Sequence, residues 1–326
     1  MGIAFLYFWF SSFAFAGGND VFSDLFFPKQ FGGTRVKLEE RIYSEAKASG
    51  ETFKVAQSKF DASIPIVREN QTSWRFISFL DYEAWKSRSS FSQSRPSPTE
   101  LWDPGLGISH SREFDNGRSA SGAFTLSSPS DRPFGSFRDY GFNLNLSYRL
   151  PQPSGNAWIL LASASNTRGF LPYLPLPGAG YFFSSSNWKG LLGFPFGLIF
   201  WTPSPIWTVS AFFFPIRYGE LKITYGQPRS LQAFSQISFR GRSYWLSDRS
   251  NDKERLFAEE GVAQAGLSAP VYRGVILEFS GGWAFARSYF LAEKISEKNS
   301  MLKISPDNGA FANLKLGIFQ IGRAHV

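Results

Sequence analysis

Apolar and polar residues alternate over short stretches of the chain, most clearly in residues 141–150. Five apolar side chains alternate there with four polar ones: Phe142, Leu144, Leu146, Tyr148 and Leu150 with Asn143, Asn145, Ser147 and Arg149. A period of two is typical of a β-strand with one apolar face. A turn sequence, 151–155, follows, and a second apolar run starts at Asn156. The pattern therefore predicts a hairpin, and this unit recurs along the chain.

From residue 33 onward, the pattern predicts successive strands of roughly 9–15 residues. The predicted strands are 36–43, 53–66, 74–82, 106–114, 120–126, 141–150, 156–166, 194–201, 207–213, 221–225, 231–244, 256–267, 275–281 and 310–320. Residues 169–190 are rich in Pro and Gly and are interpreted as a loop. The count is about 14 strands, with 12 as the alternative.

Short and long connections alternate between these strands. The short ones are 115–117, 151–155, 202–205, 226–229 and 268–273, and longer polar segments lie between them. Short periplasmic turns and longer outer loops are expected of an all-β, up-and-down antiparallel barrel in the bacterial outer membrane. A soluble β-sandwich alternates apolar and polar residues in the same way, but it has less reason to alternate its loop lengths. In lipid the barrel must be closed, because an open edge would leave backbone groups unpaired.

Composition favours the membrane barrel over a helical membrane protein. Aromatic residues make up 18% of the 326 residues, the charged fraction is also 18%, and there is no Cys. No internal stretch has about 18 consecutive apolar residues, so helical spans are not expected. The net charge of +8 is scattered over strands and loop tips. We therefore assign it to rims and lumen, and expect no nucleic-acid partner.

The two ends of the chain are separate from the predicted barrel, 33–320. Residues 1–16 form an apolar run that ends in Ala14-Phe15-Ala16, which is typical of a secretory signal and its cleavage site. Residues 17–32 are interpreted as a short periplasmic or lumen-plugging lead-in. Residues 321–326 resemble the translation of a sequencing-adapter read-through, so His325 is given no role.

Candidate catalytic and metal-binding groups are few. The other histidine is His110, between Ser109 and Ser111. Adjacent strand residues point to opposite faces, so neither serine is an expected partner in a lipase-like site. Three acidic residues of one loop could hold a hard cation or simply form a solvated loop: Asp248, Asp252 and Glu254. We predict no cofactor, no metal site and no enzyme, with a lipase-like barrel that pairs His110 with a distant serine as the minor alternative.

Charged residues on the polar faces of the strands are the remaining candidates. Six of them are expected to line the lumen and to set ion selectivity: Arg149, Lys222, Arg240, Arg242, Glu220 and Glu278. Alternatively, they fill the interior with ion pairs and leave no open path. In the loop 130–134, Asp131 and Arg132 either fold inward as a constriction or cap the barrel through an arginine–carboxylate pair.

Several short motifs resemble an uncharacterised family of bacterial outer-membrane β-barrel proteins that carry a domain of unknown function. The matching segments are 114–118 (FDNGR), 130–134 (SDRPF), 156–158 (NAW), 175–178 (PLPG), 192–196 (LGFPF) and 280–285 (SGGWAF). The resemblance covers about 101–319. It implies an outer-membrane barrel and no particular activity.

The sequence as a whole predicts a monomeric outer-membrane barrel that contacts outer-membrane lipid. The leading functional hypothesis is passive passage of small solutes or ions. One alternative is a structural or adhesive barrel whose long outer loops bind a partner. The other is a transporter of apolar solutes, favoured if the Phe-rich segment 181–200 enters the lumen.

Overall fold

The computed structural model describes residues 33–69, 71–92, 95–169, 171–214, 218–297 and 302–319. The predicted signal segment, the lead-in and the segment 321–326 lie outside these described residues. None of the helical turns within the described ranges is long and apolar enough to cross a membrane.

Sixteen antiparallel strands form the wall of the barrel in the described part of the chain. The first eight are β1 (Arg35–Tyr43), β2 (Glu51–Glu69), β3 (Thr72–Ser87), β4 (Glu100–Glu113), β5 (Ser119–Ser127), β6 (Gly141–Pro151), β7 (Ala157–Ser165) and β8 (Leu176–Ser184). The others are β9 (Trp188–Phe194), β10 (Gly197–Ser204), β11 (Trp207–Phe214), β12 (Tyr218–Tyr225), β13 (Gln232–Tyr244), β14 (Arg255–Tyr272), β15 (Val275–Ala292) and β16 (Gly309–Phe319). Short strands at Ala46–Ala48 and Lys303–Ile304 extend the sheet.

The wall closes between its first and last strands. β1 pairs antiparallel with β16 from Arg35 opposite Phe319 to Tyr43 opposite Phe311. Each other strand pairs with its neighbours in sequence. All strands thus have partners on both sides. Their backbone N–H and C=O groups are hydrogen-bonded within the wall, because lipid offers them no partners.

The predicted count of about 14 strands is wrong by two, because β8 lies within the segment 169–190 that was interpreted as a loop and β9 begins there. Gly178 lies within that segment and Gly193 lies just beyond it, and both belong to strands. A Cβ on Gly193 would lie 2.2 Å from the carbonyl oxygen of Ala179, and a Cβ on Gly178 would lie 2.8 Å from that of Phe194. Here Gly permits close strand contact, which is one of its uses inside a sheet.

The connections divide the barrel into two distinct ends. At one end, here called the turn end, lie both ends of the wall and the short connections 70–71, 114–118, 152–156, 185–187, 205–206, 226–231 and 273–274. At the other, the loop end, lie the long connections 88–99, 128–140, 166–175, 245–254 and 293–308. The short connection 195–196 also lies at the loop end, and it marks the point where the wall is lowest.

The wall has two very different heights. β2, β3, β14 and β15 contain 19, 16, 18 and 18 residues and are called the tall wall. β9–β12 contain seven or eight residues each and are called the low wall. At about 3.3 Å per residue and a tilt of roughly 40°, the low wall is about 20 Å high and the tall wall about 45 Å.

The outer surface carries an apolar belt with aromatic pairs at its edges. Trp188 stacks on Trp201 with ring centroids 5.2 Å apart, and Trp158 meets Tyr181 at 5.0 Å, all near the turn end. Between the edges, many outward side chains are exposed, including Leu106, Leu144, Leu192, Phe213, Ile237, Leu267, Phe279 and Leu314. Exposed apolar side chains bounded by aromatic girdles are the features of a lipid-facing barrel surface.

A buried apolar cluster fills the interior of the tall wall toward the loop end. Its members include Tyr43, Phe53, Val55, Trp85, Leu101, Tyr244, Leu256, Tyr289, Leu291 and Ile304. Phe53 packs edge-on against Trp85 at 5.3 Å. We call this cluster the plug, because it occupies the interior beneath the loops that cover this end.

Candidate functional site

A charged network lies in the lumen below the plug and joins opposite parts of the wall. Arg242 on β13 pairs with Glu83 on β3, and β14, β15, β16, β1 and β2 separate these two strands along the wall. Arg240 Nε donates to Glu260 Oε1 at 2.7 Å, and its Nη2 donates to Gln57 Oε1 at 3.1 Å. The interaction between β13 and β3 therefore crosses the lumen instead of following the wall.

Glu83 is the most enclosed carboxylate of this network, with no exposed surface. Besides Arg242, it accepts hydrogen bonds from Gln57 Nε2 at 2.6 Å and from Trp85 Nε1 at 3.1 Å. Glu260 is similarly held by Arg240 and by the Tyr43 hydroxyl at 2.9 Å. Buried charges are tolerated when they are paired and hydrogen-bonded in this way.

A second charged group lies toward the turn end. Lys222 Nζ lies 3.4 Å from Glu278 Oε2, and Lys315 Nζ lies 3.4 Å from the other oxygen of that carboxylate. Glu220 accepts from Gln236 Nε2 at 2.8 Å and from the Tyr218 hydroxyl. Of these groups, Glu278 and Lys315 line part of a recess of about 680 Å³, together with Glu39 and Lys59. Acidic and basic groups alternate around it.

The six predicted lumen residues all lie on inward faces, but they belong to different groups. Arg240 and Arg242 join the network across the lumen, whereas Lys222 and Glu278 form the pair near the turn end. Glu220 contacts Gln236. Arg149 stands apart, with its guanidinium 5.9 Å from the ring centroid of Phe182.

Several central members of the network were not singled out from the sequence: Asp81, Glu83, Glu260, Arg287 and Lys315. Arg75, Asp81 and Glu83 lie on the inward face of β3. The sequence could have indicated this, because they alternate with the outward apolar residues that include Trp74. The cross-lumen pairing had no local signal, because Arg242 and Glu83 are far apart in sequence.

The interior of the other half of the barrel is apolar. Six buried residues from β7, β9–β11 and the connection 195–196 form what we call the inner apolar cluster: Ile159, Leu191, Phe196, Leu198, Phe200 and Phe212. The outward neighbours Leu192 and Phe213 are themselves exposed and apolar. This part of the wall is thus apolar on both faces, although lumen-facing positions in such barrels are normally polar.

A recess of about 430 Å³ adjoins the inner apolar cluster at the loop end. Its apolar lining comes from Leu161, Leu176, Pro195, Phe196 and Phe214. Leu146 and Ala162, which are exposed on the outer face, also contribute to the lining. The recess therefore reaches the wall itself, next to the turn where the low wall ends.

Arg168 is the one charged residue among the described residues that line this recess. It lies in the loop 166–175 and is 5% exposed. Its guanidinium donates to the carbonyl oxygens of Leu174 and Ser163, both at 3.0 Å, and to Ser163 Oγ at 3.3 Å. Burial lowers the pKa of Arg168 from its ordinary value, and an arginine remains protonated at neutral pH even so.

The outer loops over the tall wall are tied together by polar contacts. Asp131 accepts from the backbone N–H and the hydroxyl of Ser247, both at 2.7 Å. Arg249 pairs with Asp139 at 2.7 Å. Arg132 is exposed at the outer rim, so Asp131 alone of the predicted constriction pair forms a tie between loops.

The residues proposed for catalysis or for a cation have other partners. The ring of His110 lies 4.4 Å from that of Trp74 on the outer face. Arg95 contacts Asp248 at 3.1 Å and Glu254 at 2.6 Å, and Arg138 contacts Asp252 at 2.9 Å. In the described part of the chain, these carboxylates hold loops together through arginines.

The closed wall, the aromatic girdle and the apolar belt make this chain an outer-membrane β-barrel of 16 strands. No family model matches the sequence, nor does any curated protein. The resemblance to the uncharacterised barrel family consequently stays a prediction.

Solved structures with related architecture are outer-membrane proteins. The toluene transporter TodX of Pseudomonas putida has a TM-score of 0.41 at 10% identity, over 94% of each chain. An outer-membrane channel from Pseudomonas putida F1 has a TM-score of 0.39 at 10% identity, over 89% of this chain and 96% of that one. The translocator domain of the autotransporter NalP from Neisseria meningitidis has a TM-score of 0.33 at 13% identity, over 92% of each chain. With similarity this low, none of these barrels lends its activity to this chain.

Proposed function

We propose that this barrel conducts small apolar molecules across the outer membrane along the inner apolar cluster, and that it is not an axial ion pore. The observation that carries the proposal is the buried apolar cluster on the inner faces of β7 and β9–β11, which is separate from the plug and lies beside the shortest strands of the wall. An aqueous pore gains nothing from buried Phe and Leu side chains at its wall. A path for apolar solutes requires such a surface.

The interior of the tall wall argues against the ion pore that the sequence favoured. Barrels of 16 strands commonly leave an aqueous channel. In this barrel Glu83, Glu260 and Arg242 are 0%, 3% and 9% exposed. Ions passing through this half would have to separate buried pairs and displace the plug, and breaking such a pair costs several kcal/mol.

The height of the low wall supplies an entry point. The lipid-facing band of an outer-membrane barrel is about 25 Å tall, whereas the low wall reaches about 20 Å by strand length and tilt. Its rim at 195–196 would therefore lie at the level of the outer leaflet. Apolar molecules partitioned there would meet the recess without crossing the polar outer loops.

Dye entry into whole cells tests the proposal, because an intact lipopolysaccharide layer excludes apolar dyes that phospholipid admits. Cells that produce the barrel should take up N-phenylnaphthylamine faster than cells with an empty vector. Leu161→Trp, which fills the recess, should remove most of this difference. Leu160→Trp is the matched control, since Leu160 is 46% exposed on the outer face. Equal entry for all three barrels would contradict the proposed path.

A structural or adhesive barrel is the second candidate, favoured by exposed aromatic residues on an outer loop. Phe137 is 93% exposed and stacks on Tyr140 at 5.7 Å, and Phe134 is 53% exposed. Large exposed apolar groups on an otherwise tied loop often mark a contact surface. Phe134→Ser together with Phe137→Ser should abolish cell adhesion if this is the function, and should leave dye entry unchanged.

A further inference from the structure

The inner apolar cluster is buried, although its described members all belong to one side of the wall. Leu198, Phe200 and Phe212 point into the lumen and are only 6%, 7% and 7% exposed. The cluster and the partly buried side chains packed against it come from β7–β12 and the connection 195–196. Because a sheet buries one of its faces against a second layer, a covering layer lies over this part of the wall.

The chain enters β1 from the lumen side of the wall. The carbonyl oxygen of Gly33 accepts a hydrogen bond at 2.9 Å from Nη2 of Arg75, an inward side chain of β3 that is 5% exposed. Nε of Arg75 also donates to Ser63 Oγ on β2 at 2.9 Å, so the arginine extends along the inner surface of the wall. The lead-in, 17–32, is outside the described residues and joins the described chain at this inner contact.

The lead-in matches the missing layer in apolar character and in length. Six of its sixteen residues are large and apolar: Val21, Phe22, Leu25, Phe26, Phe27 and Phe31. The low wall begins at β9, eight strands from β1 in a wall of 16, and so faces β1 across the lumen. A barrel of this strand number and tilt is about 32 Å wide. Sixteen extended residues span up to about 53 Å, so the lead-in can reach the inner apolar cluster from Gly33.

Charges beside the cluster complement those of the lead-in. Arg149 lies opposite Ile159 in the register of β6 and β7. Lys189 lies opposite Phe200 in the register of β9 and β10. Both basic residues therefore share the inward face with the cluster. The lead-in has one basic residue, Lys29, and two acidic residues, Asp20 and Asp24.

We propose that residues 17–32 of this chain dock on the inner apolar cluster and cover the low side of the lumen. The phenylalanines of the lead-in would lie against the cluster, with its two aspartates toward Arg149 and Lys189. The docking follows from the contacts, reach and charges above. One consequence rests on the proposed function, namely that the apolar route is closed until the lead-in moves.

Disulfide cross-linking tests the docking directly, because the chain has no natural cysteine. Phe22→Cys and Phe26→Cys are each combined with Leu198→Cys in a barrel that retains the lead-in. After oxidation, the heat-unfolded protein is compared by electrophoresis with and without reductant. At least one of the two pairs should cross-link. Leu192→Cys in place of Leu198→Cys is the matched control and should give no cross-link, since Leu192 is 51% exposed on the outer face.

A cysteine on another part of the inner wall shows whether the lead-in selects the low side. Ser121→Cys, on the inward face of β5, should cross-link less than Leu198→Cys with the same two partners. Equal yields would overturn the inference. Absence of any cross-link to Leu198→Cys in a heat-modifiable barrel would also overturn it, and would leave a bound apolar molecule or a second chain as the cover.

Exchange of charge tests the position of the two aspartates. Arg149→Asp together with Lys189→Asp should lower the cross-linking yield at least about twofold, because like charges then face each other. Asp20→Lys together with Asp24→Lys should restore the yield in that background. An unchanged yield after the first exchange would contradict the proposed position of the aspartates.

Dye entry separates the docking from its consequence for transport. Phe26→Ser together with Phe27→Ser removes apolar contacts of the lead-in and should speed entry of N-phenylnaphthylamine at least about twofold, by shifting the lead-in from its docked position. Gln30→Ser is the control and should leave dye entry unchanged. Cross-linking without faster dye entry would support the docking and contradict closure of the route. If the parent barrel admits no more dye than the empty vector, the proposed function fails, and the cross-link alone decides the docking.

Discussion

The tall and low walls are built from the same kind of alternating strand, yet they enclose different interiors. β14 and β15 have 18 residues each, and charged groups such as Glu260 lie on their inner side. The plug lies between these groups and the loop end. β9–β12 have at most eight residues and no such cover. The ion pairs that join β13 to β3 across the lumen lie beneath the plug, whereas the buried pair of Lys222 on β12 with Glu278 lies toward the turn end.

The difference also underlies our proposal that this 16-stranded barrel is not an axial ion pore. The charged network and the plug fill the interior on the tall side, and the inner apolar cluster fills it on the low side. In our proposal, the tall side makes the barrel rigid and the low side contacts apolar molecules. The predictions below test each half in turn.

Removing the most enclosed carboxylate of the tall side should have the largest effect. Glu83→Ala would remove the nearest carboxylate from Arg242 and leave it 3.6 Å from Asp81, and loss of one member of a buried pair costs about 3–5 kcal/mol. The free energy of unfolding can be measured by denaturant titration of the barrel in lipid vesicles. Glu69→Ala, at an exposed carboxylate near the turn end, should change it by less than about 0.5 kcal/mol.

Filling the recess on the low side should have the next largest effect, this time on transport. In Leu161→Trp the larger side chain would occupy the recess and raise the barrier to passage, and a rise of about 1 kcal/mol is enough to slow barrel-dependent dye entry by about fivefold. The same variant should still show the shift in gel mobility on heating that marks a folded barrel. A folded variant with native dye entry would mean that solutes do not use this recess.

Cutting the tie between outer loops should have a smaller effect that is local to the loop end. Burial acts to lower the pKa of Arg95, but its hydrogen bonds to Asp248 and Glu254 outweigh burial and raise that pKa, so the guanidinium stays charged. Arg95→Ala should lower overall stability by about 1–3 kcal/mol, because it removes the arginine from the buried Glu254 carboxylate, whereas the contact with the half-exposed Asp248 contributes little. Trypsin should nevertheless cleave 245–254 faster. Unchanged cleavage would mean that other contacts, such as Asp131 with Ser247, fix the loop.

The smallest effect is expected at His110 on the outer face. His110→Phe keeps an aromatic ring beside Trp74 and should change the unfolding free energy by less than about 0.5 kcal/mol. Dye entry should also be unchanged. A large loss of unfolding free energy or of dye entry would show that the imidazole has a role beyond packing against Trp74.

Much of the wall could be predicted from alternation alone, because each strand of an up-and-down barrel pairs with its sequence neighbours. The predicted strand 141–150 is β6, and the turn after it joins β6 to β7 with Pro151 opposite Ala157. All five predicted short connections lie at the turn end, but 202–204 and 268–272 belong to β10 and β14, and the short connection 195–196 at the loop end departs from the predicted alternation. β8 and β9 were missed because Gly178 and Gly193 serve strand contact here rather than a turn.

The candidate sites were less accessible to sequence analysis. Alternation correctly placed Arg240 and Arg242 inside the barrel, but it could not show that Glu83 pairs across the lumen. No sequence pattern indicated that Arg168 lines a recess, because it lies in a loop. Its hydrogen-bond acceptors are the main-chain carbonyl groups of Ser163 and Leu174 and the Ser163 hydroxyl. The alternation of apolar and polar residues indicates which face of the sheet a side chain lies on, but its contacts there depend on tertiary packing.

Single-channel recording of the folded, heat-modifiable barrel in a planar bilayer tests most directly whether the lumen is closed to ions. The cross-lumen network and the plug predict no steady open level at any voltage that the bilayer tolerates. A steady conductance with a reversal potential favouring anions would contradict the account. It would return Arg149, Lys222, Arg240 and Arg242 to the role of selectivity residues in an open pore.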